Sequence, residues 1–183
     1  MLNLAGDAPK RADYLRRKGL FRLMGTDVSY SPRKIPLYPK LIRIHNNVSI
    51  ASGVQFLTHD ISDNVVNGYL KVQGRPETVS EKLGCIEIMD NVFLGADTTV
   101  LYDVKIGENC IIGAKSLVNR DIPPNSVAAG VPCRVIGSFE DFVQKRLSEE
   151  SERMPSAVRG VEISDEAAAA CWQAFERKRE GKA

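Results

Sequence analysis

IMDNVF (88–93), LGADTT (94–99), VLYDVK (100–105), IGENCI (106–111), IGAKSL (112–117) and VNRDIP (118–123) are six consecutive hexapeptides. Each opens on an aliphatic residue: Ile88, Leu94, Val100, Ile106, Ile112 and Val118. Four residues later stand Val92, Thr98, Val104, Cys110, Ser116 and Ile122, all small or apolar. Neither a helical period nor strand alternation gives this rhythm; a fixed short repeat does. An earlier block keeps it, with IHNNVS (44–49), IASGVQ (50–55) and Phe56 leading the next unit. Each hexapeptide reads as a short strand plus a turn, and three close one triangular coil. One unit cannot bury its apolar residues alone, so the leaders must stack from coil to coil. Residues 88–105 and 106–123 are expected to form two full coils, and 44–56 most of an earlier one. Gly95, Gly107 and Gly113 follow aliphatic leaders, where a sharp turn is expected to need a backbone without Cβ. The predicted fold class is an all-β solenoid. The repeat itself leaves its handedness open, and crossovers between parallel strands are generally right-handed.

Around this centre the chain is ordinary. It has 183 residues, 43% hydrophobic and 26% charged, and a formal net charge of +2. That suits one domain with appendages. Near-neutrality argues against nucleic acid as the main partner. No apolar run reaches membrane-span length, and MLNLAGDAPKRADYLRRKG lacks a signal-peptide core, so no membrane insertion and a cytoplasmic location are expected. Cys85, Cys110, Cys133 and Cys171 show no C-x-x-C spacing, and read as reduced thiols.

The expected organisation is an N-terminal helix and arm (1–43), the repeat region (44–137) and a helical tail (138–183). The arm carries ten Lys and Arg against three acids, either as a solvated helix face or as a strip near a polyanion. A helix is predicted over 7–18, with Asp7 as N-cap, Pro9 in the first turn and Gly19 as the stop. SPRKIPLYP (31–39) cannot be regular helix or central strand. Ser138 and Asp141 open a further helix with Phe139, Phe142, Val143 and Leu147 on one stripe, ended by Met154-Pro155. Another is expected from Ser164 to Phe175, with Ala168, Cys171, Trp172 and Phe175 near one face.

The rhythm fails from Leu57 to Gly84, a polar excursion without strong periodicity. Long loops in compact domains are usually functional. Thr58-His59-Asp60 stands at its start, where rigid coil hands over to loop, a sensible place for catalysis. The chain has only two histidines. His45 lies in the turn position of IHNNVS and reads as a solvated turn residue. Neutral imidazole can take a proton and return it near neutral pH, so His59 is the candidate. Asp60 is a candidate to orient it or to bind an acceptor, although neighbouring side chains on extended backbone point oppositely. Glu77 and Glu81 are further acceptor contacts or solvated charges. Cys85 has no predicted activating neighbour; Cys110 and Cys133 read as packing.

The segments Ile88–Val92 and IGENCIIGAKSLVNRDIPPNSVAAGVPCRVIG (106–137) resemble the hexapeptide-repeat acyltransferases, especially galactoside and maltose O-acetyltransferases and surface-polysaccharide O-acetyltransferases. The resemblance implies a left-handed parallel β-helix, a homotrimer, acetyl-CoA as acyl donor and no metal. It implies His59 as the catalytic base, matching the histidine that opens the family's loop. It implies backbone contacts to the donor at Ala96 and Ala114, and phosphate contacts at Arg120 of NRDIPP and Arg134 of VPCRVI. Guanidinium groups suit phosphate bidentately. Phe93 takes the place of the tryptophan of a W-I-G triplet, on the substrate pocket's wall. The expected reaction is direct transfer of acetyl to a sugar or polysaccharide-precursor hydroxyl. Acetylation of an amino sugar or antibiotic amine would use the same base, and a non-catalytic scaffold would use none. Zinc held by three histidines, as in solenoid carbonic anhydrases, does not suit a chain with two.

Overall fold

The structure is a computed structural model that describes residues 7–150 and 163–180. Its helix α1 (Ala8–Arg17) begins as the sequence predicts: Asp7 accepts a hydrogen bond from the Lys10 amide at 2.9 Å, and a proline sits in the first turn. The Asp7 cap satisfies an amide that the first helical turn leaves without a partner. α1 buries Ala12 and Leu15 against the first strands, β1 (Leu23–Met24) and β2 (Ser29–Tyr30).

The chain then takes one single-turn 3-10 segment (Pro39–Leu41) and enters the coils. The first comprises β3 (Ile42–Ile44), β4 (Val48–Ile50) and β5 (Gln55–Leu57). An excursion follows, built from β6 (His59–Asp60), α2 (Asp63–Val72) and β7 (Lys82–Leu83). The next coil is β8 (Ile86–Ile88), β9 (Val92–Leu94) and β10 (Thr99–Leu101); after it come β11 (Val104–Ile106), β12 (Cys110–Ile112) and β13 (Leu117–Val118). β14 (Ser126–Ala129) continues the climb, and β15 (Arg134–Ser138) returns antiparallel along it. Three sheets result, β1-β3-β8-β11, β2-β4-β9-β12-β14-β15 and β5-β10-β13, and all pairings within them except β14–β15 are parallel. The chain visits the three sheets in the same order coil after coil. Ile44, Ile88 and Ile106 are in register on one wall, Ile50, Leu94 and Ile112 on the second, and Phe56, Val100 and Val118 on the third. The leaders are buried and fill the prism.

The coils differ from the sequence reading in three places. First, part of the arm belongs to them: Met24 pairs with Ile44 and Tyr30 with Ile50, so 23–30 forms two sides of a coil below the first. Arg11 is likewise no solvated charge; it is buried, and its Nε donates to the Tyr30 carbonyl at 2.9 Å. Second, the last unit is two residues short. Ile122 bridges to Ile106 and Ser126 pairs with Cys110, so Ile122 takes a leader's place rather than the fifth place of VNRDIP. The short unit carries the chain straight into Pro123-Pro124.

Third, the turn chemistry lies elsewhere. Gly95, Gly107 and Gly113 do not have positive φ. They lack Cβ because the next coil passes over them: a Cβ on Gly95 would lie 2.8 Å from Ala114 Cα and closer still to its amide, and one on Gly113 2.9 Å from Ala129 Cβ. Most left-handed turns of the coils are taken by polar residues, although Gly53 takes one of them with φ +75°. Asn47, Asn91, Asn109 and Asn125 all have φ between 51° and 59° and stack along one edge. Each of the first three donates from Nδ2 to the next one's Oδ1, at 2.9, 2.9 and 2.8 Å. Asparagine tolerates the left-handed region, and its amide can both give and accept a hydrogen bond.

The excursion is not an irregular loop. It carries α2, ten residues long, although Val65, Tyr69 and Val72 leave that helix exposed. The described residues divide into two units, within Met1–Glu140 and Asp141–Ala183. In the tail, α3 spans Phe139–Glu150 and α4 spans Asp165–Glu180, where Ser164 Oγ accepts from the Ala167 amide at 3.2 Å. Trp172 and Phe175 meet edge-on at 5.3 Å and stay exposed. The expected stop at Met154-Pro155 lies outside the described residues.

Candidate active site

The site grows from the point where coil becomes excursion. Thr58, wholly buried, donates from Oγ1 to the Leu37 carbonyl at 2.8 Å, and its own carbonyl accepts from the Gly84 amide at 2.9 Å. The excursion therefore leaves and returns at one place. There β6 and β7 pair antiparallel, setting His59 opposite Leu83 and Asp60 opposite Lys82. His59 rides on a short clasp anchored to the coil.

The Tyr38 ring meets the imidazole edge-on, with centroids 5.4 Å apart and planes at 90°. Tyr38 has φ +50° and ψ +51°. An aromatic side chain in the left-handed region costs on the order of 1–2 kcal/mol and persists only where its surroundings impose it. Its hydroxyl donates to Glu81 Oε2 at 3.1 Å, and that carboxylate raises the phenol above its usual pKa. Tyr38 thus links the proline-rich segment, His59 and the far end of the excursion. His59 Nδ1 is buried with no hydrogen-bond partner among the described residues.

Asp60 does not orient His59. Its Oδ1 accepts from the Ser62 amide at 2.8 Å and its Oδ2 from the Tyr102 hydroxyl at 3.3 Å. Those bonds, the Ser62 amide first, hold its carboxyl below the usual aspartate range. This is the opposite-face geometry expected of neighbours on a strand.

A cleft of about 620 Å³ opens beside His59. One wall is the segment from Tyr30 to Leu37; the other is the first coil from Ser52 to Leu57. Ser52 stands at the foot of a corner column. The Asp97 amide donates to the Ser52 carbonyl at 3.0 Å, and the Lys115 amide to the Ala96 carbonyl at 2.8 Å. Ser52, Ala96 and Ala114 are therefore equivalent positions on successive coils, separated by about one strand spacing of ~4.8 Å each. Two residues singled out in the sequence, Ala96 and Ala114, lie on the edge that leads to the cleft.

The other candidates lie apart from the cleft lining. Phe93, 40% exposed, faces outward on β9 between Ser49 and Ile111. Arg120 is exposed in the turn after β13; Arg134 opens β15 and donates to the Cys133 carbonyl at 2.7 Å. His45 is not a free turn residue: its Nε2 lies 3.2 Å from Glu87 Oε1, and Glu87 also pairs with Arg43 and Lys105. Glu77 is held by Arg75 at 2.7 Å. Burial raises the thiols of Cys110 and Cys133, which suits packing rather than nucleophilic attack. No group of three or more His, Cys, Asp or Glu able to hold a metal ion occurs among the described residues, nor does a helix long and apolar enough to cross a membrane. Tyr38, Arg33, Lys34 and Ser52 were not legible as site residues. The prolines of SPRKIPLYP mark a fixed backbone, but nothing local says which coil it lies against.

Comparison with known proteins finds the same repeat. Residues 86–120 match the family described as bacterial transferase hexapeptide (six repeats). The galactoside O-acetyltransferase of Escherichia coli (strain K12) is 39% identical over 100 residues, which is 55% of this chain and 45% of that protein. The alignment thus spans less than half of that relative's length. Among solved structures, a maltose O-acetyltransferase from Clostridium difficile 630 shares 28% identity with a TM-score of 0.55, covering 75% of this chain and 79% of that one. A galactoside acetyltransferase solved in complex with coenzyme A shares 25% identity with a TM-score of 0.54, covering 78% of each. In its repeat, its stacked coils and these matches, the chain is similar to the hexapeptide-repeat acyltransferases, the galactoside and maltose O-acetyltransferases among them.

Proposed function

We propose that this protein is an acetyl-CoA-dependent O-acetyltransferase that acetylates a sugar hydroxyl, with His59 as its general base. In this reading the solenoid is left-handed, as in the family it resembles, and three chains assemble so that the donor lies in the groove between neighbours. The observation that carries the reading is the position of His59. It sits at a cleft whose edge continues, coil by coil, through Ser52, Ala96 and Ala114. An extended pantetheine arm running down that edge brings its thioester toward the imidazole.

The chemistry follows from one residue. Neutral His59 takes the proton of the acceptor hydroxyl as its oxygen attacks the thioester carbonyl. With Nδ1 buried, Nε2 is the nitrogen left for this transfer. The tetrahedral oxyanion collapses, the C–S bond breaks, and the imidazolium returns its proton to the departing thiolate. Arg120 and Arg134 are the cations offered to the donor's phosphates, and Phe93 an aromatic surface on the outer face of β9; Asp60, bound to Ser62 and Tyr102, stands beyond the cleft. Tyr38 packs its ring against the imidazole and ties the proline-rich segment to Glu81 of the excursion.

The test is a panel of sugar acceptors with acetyl-CoA, read by thiol release and by the mass of the product. One acetyl added per thiol released supports the reading. The same protein, heated with CoA, distinguishes an enzyme from a scaffold. A ligand bound only by the folded state at about one hundred times its Kd adds about 2.7 kcal/mol of apparent stability; no shift favours the scaffold.

A further inference from the structure

The cleft beside His59 has an electrostatic character that the acyl-transfer reaction does not require. Its lining includes two cations, Arg33 and Lys34, and no carboxylate. Both are exposed, and neither makes a salt bridge among the described residues. Several cations elsewhere on this chain are compensated: Arg16 pairs with Asp13, Arg75 with Glu77, and Lys105 with Glu87.

The backbone that carries the two cations is pinned. Buried Arg11 donates to the carbonyls of Tyr30 at 2.9 Å and Ser31 at 3.2 Å. The Ser31 amide donates to the Ile50 carbonyl at 2.9 Å, and the Tyr30 hydroxyl to the Lys34 carbonyl at 3.3 Å. At the far end Thr58 holds Leu37. Pro32 and Pro36 fix two further φ angles. A segment tied in this way presents its charges without a large ordering cost on binding, which is how a recognition wall is built. The remaining wall is mixed, with Ile35 and Phe56 apolar and Ser52 and Gln55 polar.

We infer that the acceptor bears an anionic group, a carboxylate or a phosphate, which Arg33 and Lys34 bind while His59 faces the hydroxyl to be acetylated. This rests on the transferase reading and specifies its substrate class. The donor edge reaches the cleft from Ala114 through Ala96 to Ser52, so the wall at 33–34 lies beyond the thioester end, on the acceptor's side.

Paired ligands test it. Methyl galacturonate glycoside and its free uronic acid differ in one carboxylate charge; a hexose 1-phosphate and its methyl hexoside differ in the phosphate. Binding of each is measured by calorimetry in the presence of CoA, and turnover with acetyl-CoA, for the wild type and for R33Q/K34Q. The expected result is at least tenfold tighter binding of one charged ligand than of its neutral parent. In R33Q/K34Q that preference falls by about tenfold while the KM for acetyl-CoA stays within twofold. Whichever pair discriminates identifies the anion. Equal binding of the charged and neutral members of both pairs overturns the inference. So does a variant that raises the acetyl-CoA KM instead, since the cations would then belong to the donor. Charge-selective binding without any acetyl transfer would refute the transferase reading and leave the anion site standing. Circular dichroism and the melting temperature of R33Q/K34Q confirm that it is folded.

Discussion

Asn91 sits mid-way in the ladder of asparagines and gives the sharpest test of how the coils turn. It has φ +59°, accepts from Asn47 at 2.9 Å and donates to Asn109 at 2.9 Å. Two effects can be separated by two substitutions. Asn91→Ala removes both side-chain bonds and leaves a Cβ in the left-handed region. The strain is about 1–2 kcal/mol, and two exposed hydrogen bonds contribute about 0.5 kcal/mol each, the low end of the usual range. The expected loss is therefore about 2–3 kcal/mol. Asn91→Gly loses the same bonds but no strain remains, and glycine's extra freedom when unfolded restores about 0.5–1 kcal/mol of cost. Its expected loss is about 1.5–2 kcal/mol, so glycine should be the milder change by roughly 0.5–1 kcal/mol. Urea denaturation at one protein concentration measures both, since assembly would make the midpoint concentration-dependent. If alanine is tolerated as well as glycine, positive φ is not what selects this residue. If both variants lie within about 0.5 kcal/mol of the wild type, the ladder does not hold the edge together and the reasoning fails.

The remaining predictions concern packing, the site and pH. Gly95→Ala forces a methyl against the backbone of Ala114; overpacking of this kind costs about 1–3 kcal/mol, measurable by thermal melting, and should also weaken CoA binding along that edge. Tyr38→Ala should lower kcat about tenfold with little change in the KM for acetyl-CoA, whereas Tyr38→Phe, which keeps the ring on His59, should stay within about threefold of the wild type; equal losses in both would assign the effect to the Glu81 bond. Partial burial pushes the Glu87 carboxyl up, but His45, Arg43 and Lys105 outweigh it and hold the group below its usual 4.5. A depressed carboxyl supplies stability above its unfolded pKa and loses it as pH falls through the folded one. Melting temperature followed from neutral pH downward should therefore drop more steeply below pH ~4.5 for the wild type than for Glu87→Gln; parallel curves would refute the linkage.

The six-residue spacing of Ile88, Leu94, Val100, Ile106, Ile112 and Val118 is legible because each leader must reach the same dry interior, and nothing else in the chain competes with that demand. The same cause made Asp7 and Gly19 readable, since a helix end must satisfy its own amides and carbonyls locally. What was not legible depends on contacts between distant segments. Gly95 is needed for the coil above it, not for its own turn, and that coil is eighteen residues further on. β1 and β2 are two-residue strands whose membership of the coils is decided by Ile44 and Ile50, with no period of their own to announce it. Ile122 moved from a fifth place to a leader's place because the unit before it is short, and an apolar residue fits either. In the site, His59 stood out by scarcity and by its place at the break in the repeat. Tyr38, Arg33 and Lys34 did not, because a proline-rich segment shows only that its backbone is fixed, not which wall it forms.

The central claim is that His59 is the base of an acetyl transfer, and turnover by His59→Ala and His59→Gln measures it most directly. Both are assayed by thiol release from acetyl-CoA with the acceptor the panel identifies, after melting temperature and CoA binding show the variants folded and donor-competent. General-base catalysis is worth about 10²–10⁴-fold, so kcat should fall by at least two orders of magnitude while CoA binding is kept. Turnover within a few-fold of the wild type in either variant would contradict the account.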